Sequence, residues 1–357
     1  MSLPGEDTSA YVLITGGAGF IGTNLAARLA SSGRKVLLFD NLIRPGVEDN
    51  VEWLLSNFSE YISVELADIR DGDRMEKAVQ RAGHVYHFAA QVAVTTSITD
   101  PRDDFEVNAL GTINLLEAIR RRSTPPPLVF TSTNKVYGKL NISLEEGESR
   151  YNPSDTGIRT HGIAESQPLD FYSPYGCSKG AADQYVLDYS RIYGLPAVVL
   201  RMSCIYGPHQ FGNEDQGWVA HFLLKAMHKE PLYIFGNGKQ VRDILHVSDL
   251  IDALVLAQDK IHLLAGNAFN IGGGPENTTS LLELLSLMKS LGLVPSSLQF
   301  KKPRPGDQDY YVSDIESFRN RTGWNPKTGV REGVCRLGEW LRRHRMKNEK
   351  EQLQAVL

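Results

Sequence analysis

A chain of 357 residues exceeds the roughly 100–200 of one ordinary domain, which argues for two modest domains or one large α/β domain with an appendage. With 41% hydrophobic and 22% charged residues it has ample apolar matter for a packed core, which excludes disorder and collagen-like repeats. The net charge of −4 leaves no basic excess to hold nucleic acid, and the cationic clusters Arg120-Arg121-Arg122 and Arg342-Arg343-His344-Arg345 read as solvated helix ends. Cys177, Cys204 and Cys335 are odd in number and lack disulfide or metal spacing, which suits a reducing compartment. Residues 1–10 carry no cationic apolar leader, and no run approaches the roughly 18 apolar residues of a membrane span. The expectation is a cytoplasmic protein with no membrane partner.

Residues 11–15 form a short apolar run that ends in glycines. Residues 20–32 then carry Phe20, Ile21, Leu25 and Leu29 at helical spacing, and Gly33 precedes a second apolar run at 35–39. Residues 11–40 therefore read as one βαβ unit. Further strand-like runs at 62–66, 84–88, 128–132 and 197–201 are separated by amphipathic stretches at 74–81, 104–122 and 178–193. This alternation predicts a doubly wound parallel sheet covered by helices on both faces. Residues 139–168 form a long polar connection without periodicity, read as a candidate lid. Past residue 201 the rhythm changes. The expected division is a dinucleotide-binding domain over 9–200, to which 244–265 returns, a substrate domain over 201–243 and 266–345, and a polar tail at 346–357 with no assigned role.

Between the first strand and its helix lies Gly16-Gly-Ala-Gly19-Phe-Ile-Gly22. Gly16 permits the tight turn, Gly19 lets a pyrophosphate approach the backbone, and Gly22 lets helix and strand pack closely, with the helix N-terminus facing the anion. Asp40, 18 residues past Gly22, ends the second strand, where a carboxylate accepts both ribose hydroxyls and repels a 2′-phosphate. NAD is therefore favoured over NADP. Asp68 reads as an adenine contact or as a helix N-cap.

Tyr175 and Lys179, in Ser173-Pro-Tyr-Gly-Cys-Ser-Lys179, stand four apart, so a helix stacks them on one face. A neighbouring ammonium, with the positive nicotinamide ring, would draw the phenol down toward the range of a working base. The run Phe130-Thr-Ser-Thr133 ends another strand with hydroxyls at the carboxyl edge, the side where open α/β sheets bind ligands. His87 and His246 lie on apolar patterns and read as core histidines with satisfied nitrogens. No cluster has metal-ligand spacing, so no metal is expected.

The glycine loop, Thr131-Ser-Thr-Asn-Lys-Val-Tyr-Gly138 and Tyr-x-x-x-Lys, in this order, resemble the extended short-chain dehydrogenase/reductase family acting on nucleotide sugars, over nearly the whole chain. A closer similarity, to epimerases of that family that invert carbon 2 of a CDP-linked dideoxy sugar, is carried by three strings. These are residues 169–185, Gln210-Phe with Asp215-Gln-Gly-Trp218, and Gly236-Asn-Gly-Lys-Gln-Val-Arg-Asp243.

The resemblance implies a Rossmann sheet with a smaller C-terminal α/β substrate domain. It makes Tyr175 the base, Lys179 its electrostatic partner and a ribose contact, and Thr133 the hydroxyl that orients the sugar. Gly16, Gly19, Gly22 and Asp40 would hold NAD, with Phe20, Ile21, Asn41, Asp68, Ile69, Ala89, Ala90 and Asn108 along its path. Arg242 and Arg304 fall where the family places cations on the substrate diphosphate. Asn134, Lys135, Cys204 and Gln216 would line the sugar pocket. Sugar 4,6-dehydratases of the family carry an Asp-Glu pair at the positions of Asn134 and Lys135, so elimination chemistry is disfavoured. Cys204 stands where the family has Asn, which implies a different seat for the sugar or diphosphate; its thiol reads as inert packing. The implied partners are a nucleotide sugar, CDP-linked by preference, and further copies of the chain in a homodimer or homotetramer. Two alternatives stand beside this reading. One is a UDP-sugar 4-epimerase or decarboxylase with the same triad; the other is an NAD-binding regulatory protein without turnover.

Overall fold

A computed structural model describes residues 10–304 and 306–356, with side chains only as far as His344. Residues 1–9, where the leader reading and the start of the first domain fall, lie outside the described residues, as do Leu357 and the tail side chains from Arg345 onward.

Seven apolar runs pair into one parallel sheet, in the spatial order Ala268–Ile271, Ala197–Met202, Leu128–Thr133, Ala82–His87, Tyr11–Thr15, Val36–Asp40 and Ile62–Leu66. The chain winds outward from Tyr11–Thr15 through two strands, then crosses to the other flank with Ala82–His87. The loops leaving Thr15 and His87 therefore part at the carboxyl edge and open a crevice there. Helices Phe20–Ser31 and Val247–Asp259 cover one face, where Leu25, Leu250 and Leu254 share a core with Phe269 and Phe318. Helices Gly72–Gln80, Gly111–Arg120 and Pro174–Tyr193 cover the other through Met75, Leu115 and Val186. Burial on both faces is why these strands read as unbroken apolar runs, each enclosed Leu or Ile contributing about 1.5–3 kcal/mol.

The remaining elements gather round a second core that includes Leu223, Leu232, Leu284 and Leu337. Strand Val241–His246 stitches the two parts together. It pairs with Thr278–Ser280 and Tyr310–Tyr311 on the substrate side and with Cys204–Tyr206, directly beyond the large sheet, on the other.

Three parts of the chain depart from the sequence reading. Ala268–Ile271, assigned to the second domain, is the edge strand of the large sheet, and Phe318 and Trp324 also pack into its core. Helix Val247–Asp259 packs into that same core. A helix unread in the sequence, Val47–Phe58, buries only Val47, Asn50 and Leu54, too thin a stripe to stand out. The long segment 139–168 is not structureless. It holds a hairpin, Leu144–Glu146 with Tyr151–Pro153, and the helix Thr156–His161. Arg150 is clamped to Glu283 and Tyr151 N donates to Lys239 O, and no residue of the segment lines the central cleft, so it is a strut and not a lid.

Candidate active site

The glycine loop divides its labour in a way the spacing alone leaves open. Gly16 has φ +69°, and a Cβ there would stand 2.6 Å from Ala89 N; a Cβ on Gly22 would run into Gly16 O. Both glycines are required by the protein's own packing. Gly19 has an ordinary φ of −68°, and its Cβ would meet only Gly16 O, at 3.2 Å. Its bareness leaves room in front of the helix Phe20–Ser31, whose first turn has no side-chain cap. An open glycine face before uncapped amides fits a pyrophosphate. Asp40 is held in place by its own loop, one oxygen accepting from Ala18 N at 3.0 Å and the other from Leu42 N at 2.9 Å. Burial raises its carboxyl above the usual range, and the two amides oppose that rise.

Thr133 ends the strand Leu128–Thr133, while Tyr175 and Lys179 sit in the first turns of Pro174–Tyr193. That helix begins where Ser173 Oγ accepts from Gly176 N and Pro174 occupies its first turn. Tyr175 N donates to Ser97 Oγ at 3.1 Å, and the Thr133 hydroxyl lies close enough to its phenol to draw it down. All three side chains are buried and line one cleft.

The electrostatics correct one expectation. Burial pushes the Tyr175 phenol up to about 12, opposed by the Thr133 hydroxyl and by the Arg44 guanidinium and reinforced by Asp104. The ammonium of Lys179 is aimed elsewhere: Nζ donates to Thr131 O at 2.8 Å and lies 4.3 Å from the centre of the Phe130 ring. Burial brings Lys179 down to about 7. The side chains alone therefore do not make the phenol a ready base.

At the far end of the cleft, Asn134 donates to Gln308 Oε1 at 3.2 Å, and Lys135 Nζ donates to Gly306 O at 3.0 Å. Arg242 donates to the carbonyls of Val241 and Gln308, so its guanidinium is fixed by backbone. Arg304 lies over the Phe235 ring at 3.6 Å and pairs with Glu214 and Asp215, each at 3.3 Å. Arg44 reaches over from the cofactor side to Gln216 Oε1. Burial raises the Cys204 thiol, as packing would.

One cleft of about 390 Å³ thus gathers Phe20, Ile21 and Ala90 with the triad, Asn134, Lys135, Cys204, Gln216, Arg242 and Arg304. Other predicted residues lie outside its lining. Asn41 donates to Asp68, which Arg70 grips at 2.8 Å and so holds well below the usual carboxylate range; the cap of the next helix is Asp71. Ile69 packs against Gly111, and Ala89 N donates to Thr15 Oγ1. Asn108 is spent inside, donating to Gln91 O, Asp104 and Ser178 from the π-turn Glu106–Leu110. His87 bonds Thr15 and Thr112, as a core histidine should, whereas His246 bonds Ser248 through Nδ1 and leaves Nε2 without a partner. Arg44, Asp104 and Gln308 went unread; Arg44 and Gln308 sit within a few residues of motif positions, and only that adjacency could have pointed to them.

A doubly wound parallel sheet, a glycine turn open toward a helix N-terminus and a Thr-Tyr-Lys set lining one cleft are the features of a dinucleotide-dependent enzyme. Residues 12–272 match the NAD dependent epimerase/dehydratase family. A Salmonella typhi protein named CDP-paratose 2-epimerase is 44% identical over 92% of this chain and 98% of its own. A putative UDP-glucose 4-epimerase of Methanocaldococcus jannaschii is 32% identical over 93% and 98%. The solved UDP-glucose 4-epimerase of Thermus thermophilus, in complex with NAD, superposes with a TM-score of 0.78 at 34% identity over 93% of this chain and 99% of that one. The chain belongs to the NAD dependent epimerase/dehydratase family and is an NAD-dependent epimerase. Among the described residues no helix is long and apolar enough to cross a membrane.

Proposed function

We propose that the enzyme inverts carbon 2 of a CDP-linked 3,6-dideoxy sugar, converting CDP-paratose to CDP-tyvelose. The observation that carries this reading is the triad Thr133, Tyr175 and Lys179 in one cleft with Asn134 and Lys135, which stand in place of the Asp-Glu pair of the family's dehydratases and so disfavour elimination. The similarity to a protein named for the carbon-2 reaction, over almost its full length, supports the substrate. A 3,6-dideoxy sugar offers only the hydroxyls on carbons 2 and 4 to oxidation.

Gly16, Gly19, Gly22 and Asp40 would hold NAD, with Lys179 near its ribose. Bound NAD supplies reversible two-electron oxidation of a carbinol and the positive ring that lowers the phenol. Thr133 orients the sugar hydroxyl toward Tyr175, which accepts its proton and returns it after the sugar has turned over. Arg242 holds the diphosphate from the second core, and Arg304 would exchange Glu214 and Asp215 for phosphate oxygens.

The test is parallel incubation with CDP-paratose and UDP-glucose, with proton NMR of the products. CDP-tyvelose from the first and no galactose epimer from the second is the expected result. Deuterium on carbon 2 should be kept in the product; washing out to solvent would indicate enolisation instead. Conversion of UDP-glucose alone would favour the second reading, a UDP-sugar 4-epimerase, which the archaeal and Thermus relatives support. A dimer or tetramer is expected by light scattering.

A further inference from the structure

Lys135 and Arg242, from distant parts of the chain, both line the cleft. Lys135 follows the catalytic strand end, with its backbone N donating to Thr133 Oγ1 at 3.2 Å, while Arg242 comes from the strand Val241–His246. Arg242 stands close enough for its charge to depress the ammonium, and burial with that charge brings Lys135 down to about 8. Asp307 offsets this in part, yet among the described residues neither cation forms an ion pair. Two half-buried like charges lining one cleft suit an anion bound between them.

The ring chemistry says which anion and why here. Carbon 2 is bonded to the anomeric carbon that bears the diphosphate, whereas carbon 4 lies on the far side of the ring. To bring carbon 2 to Tyr175, the sugar-linked β-phosphate must come close to Thr133, nearer than any reaction at carbon 4 requires. Arg242 is fixed by the carbonyls of Val241 and Gln308. Lys135, two residues past Thr133, is the cation at the reacting end.

We propose that Lys135 is the specificity-determining residue of this site: it binds the β-phosphate beside Thr133 and so presents carbon 2, not carbon 4, to Tyr175. This rests on the carbon-2 reading above. Its tie to Gly306 O positions the ammonium and leaves two of its protons for phosphate.

The experiment compares wild type, Lys135→Met and Lys135→Arg in NAD-loaded form. It measures affinity for CDP, CMP and cytidine by calorimetry, and turnover of CDP-paratose by NMR. The expected result is that Lys135→Met loses at least tenfold in CDP affinity but little in CMP or cytidine affinity. Its carbon-2 turnover should fall at least a hundredfold, with Lys135→Arg recovering part of both. Unchanged nucleotide binding in a folded, NAD-loaded Lys135→Met with undiminished carbon-2 turnover overturns the proposal. Equal loss of cytidine and CDP binding also overturns it, since that marks a purely structural tie to Gly306. Failure of the carbon-2 reading itself shows separately, as wild type that leaves CDP-paratose unchanged.

Discussion

The helix that presents Tyr175 and Lys179 is anchored by an ion pair far from solvent, and removing one half of it should be costly. Asp183 accepts two hydrogen bonds from Arg201, each at 2.9 Å, with the Asp183 side chain fully enclosed and that of Arg201 only 6% exposed. Arg201 also donates to Tyr137 Oη at 3.1 Å, and Tyr137 donates to Asn270, so the network joins the helix to three adjoining elements. Asp183→Ala leaves a guanidinium with one neutral partner in the core, a loss of about 3–5 kcal/mol. That raises the unfolded fraction by roughly two to four powers of ten, and at this chain length lowers Tm by roughly 5–10 °C. Urea unfolding and a thermal scan of the NAD-loaded protein read both. The pair Asp183→Leu with Arg201→Met removes both charges and should recover most of the loss. If Asp183→Ala costs under about 1 kcal/mol, or the double variant is as unstable as the single, the charge account is wrong.

Tyr175→Phe should reduce turnover by at least the roughly 10²–10⁴-fold of a lost proton-transfer group while keeping bound NAD, as followed by product NMR and by cofactor released on denaturation. Gly16→Ala should lower Tm, because φ +69° and Ala89 N forbid the new methyl; Gly19→Ala should leave Tm nearly unchanged and weaken NAD retention. His87 is buried and brought down to about 3 from an ordinary value near 6.5, so the folded state binds fewer protons than the unfolded one below pH 6.5. Its stability contribution is whole above pH 6.5 and is lost at up to about 1.4 kcal/mol per pH unit as pH falls toward 3. A His87→Gln variant should show a shallower acid slope in urea melts between pH 6 and 4, and an unchanged slope would refute the assignment.

Much of the fold was legible because burial on both faces leaves parallel strands as plain apolar runs, and because a glycine turn carries its geometry in its spacing. Val47–Phe58 escaped because its polar residues outnumber its three buried ones, and Ala268–Ile271 because sheet membership is a fact of topology and not of local pattern. At the site, Thr133, Tyr175 and Lys179 were readable as a set, but the direction of the Lys179 ammonium was not: a helical offset of four puts two side chains on one face without saying what each one bonds. Asp68 illustrates the same limit, since Arg70, two residues on, claims it. Lys135 was readable as a departure from a dehydratase pattern, whereas its meeting with Arg242 from a distant strand depends on the second core closing over the first.

The hydrogen bond from Lys179 to the carbonyl of Thr131 links helix to strand within two residues of Thr133. In an inversion the reactant must flip while everything that judges its handedness stays put. A tether of that sort makes Tyr175 and Thr133 parts of one rigid frame, so that in the proposed inversion tumbling is confined to the guest.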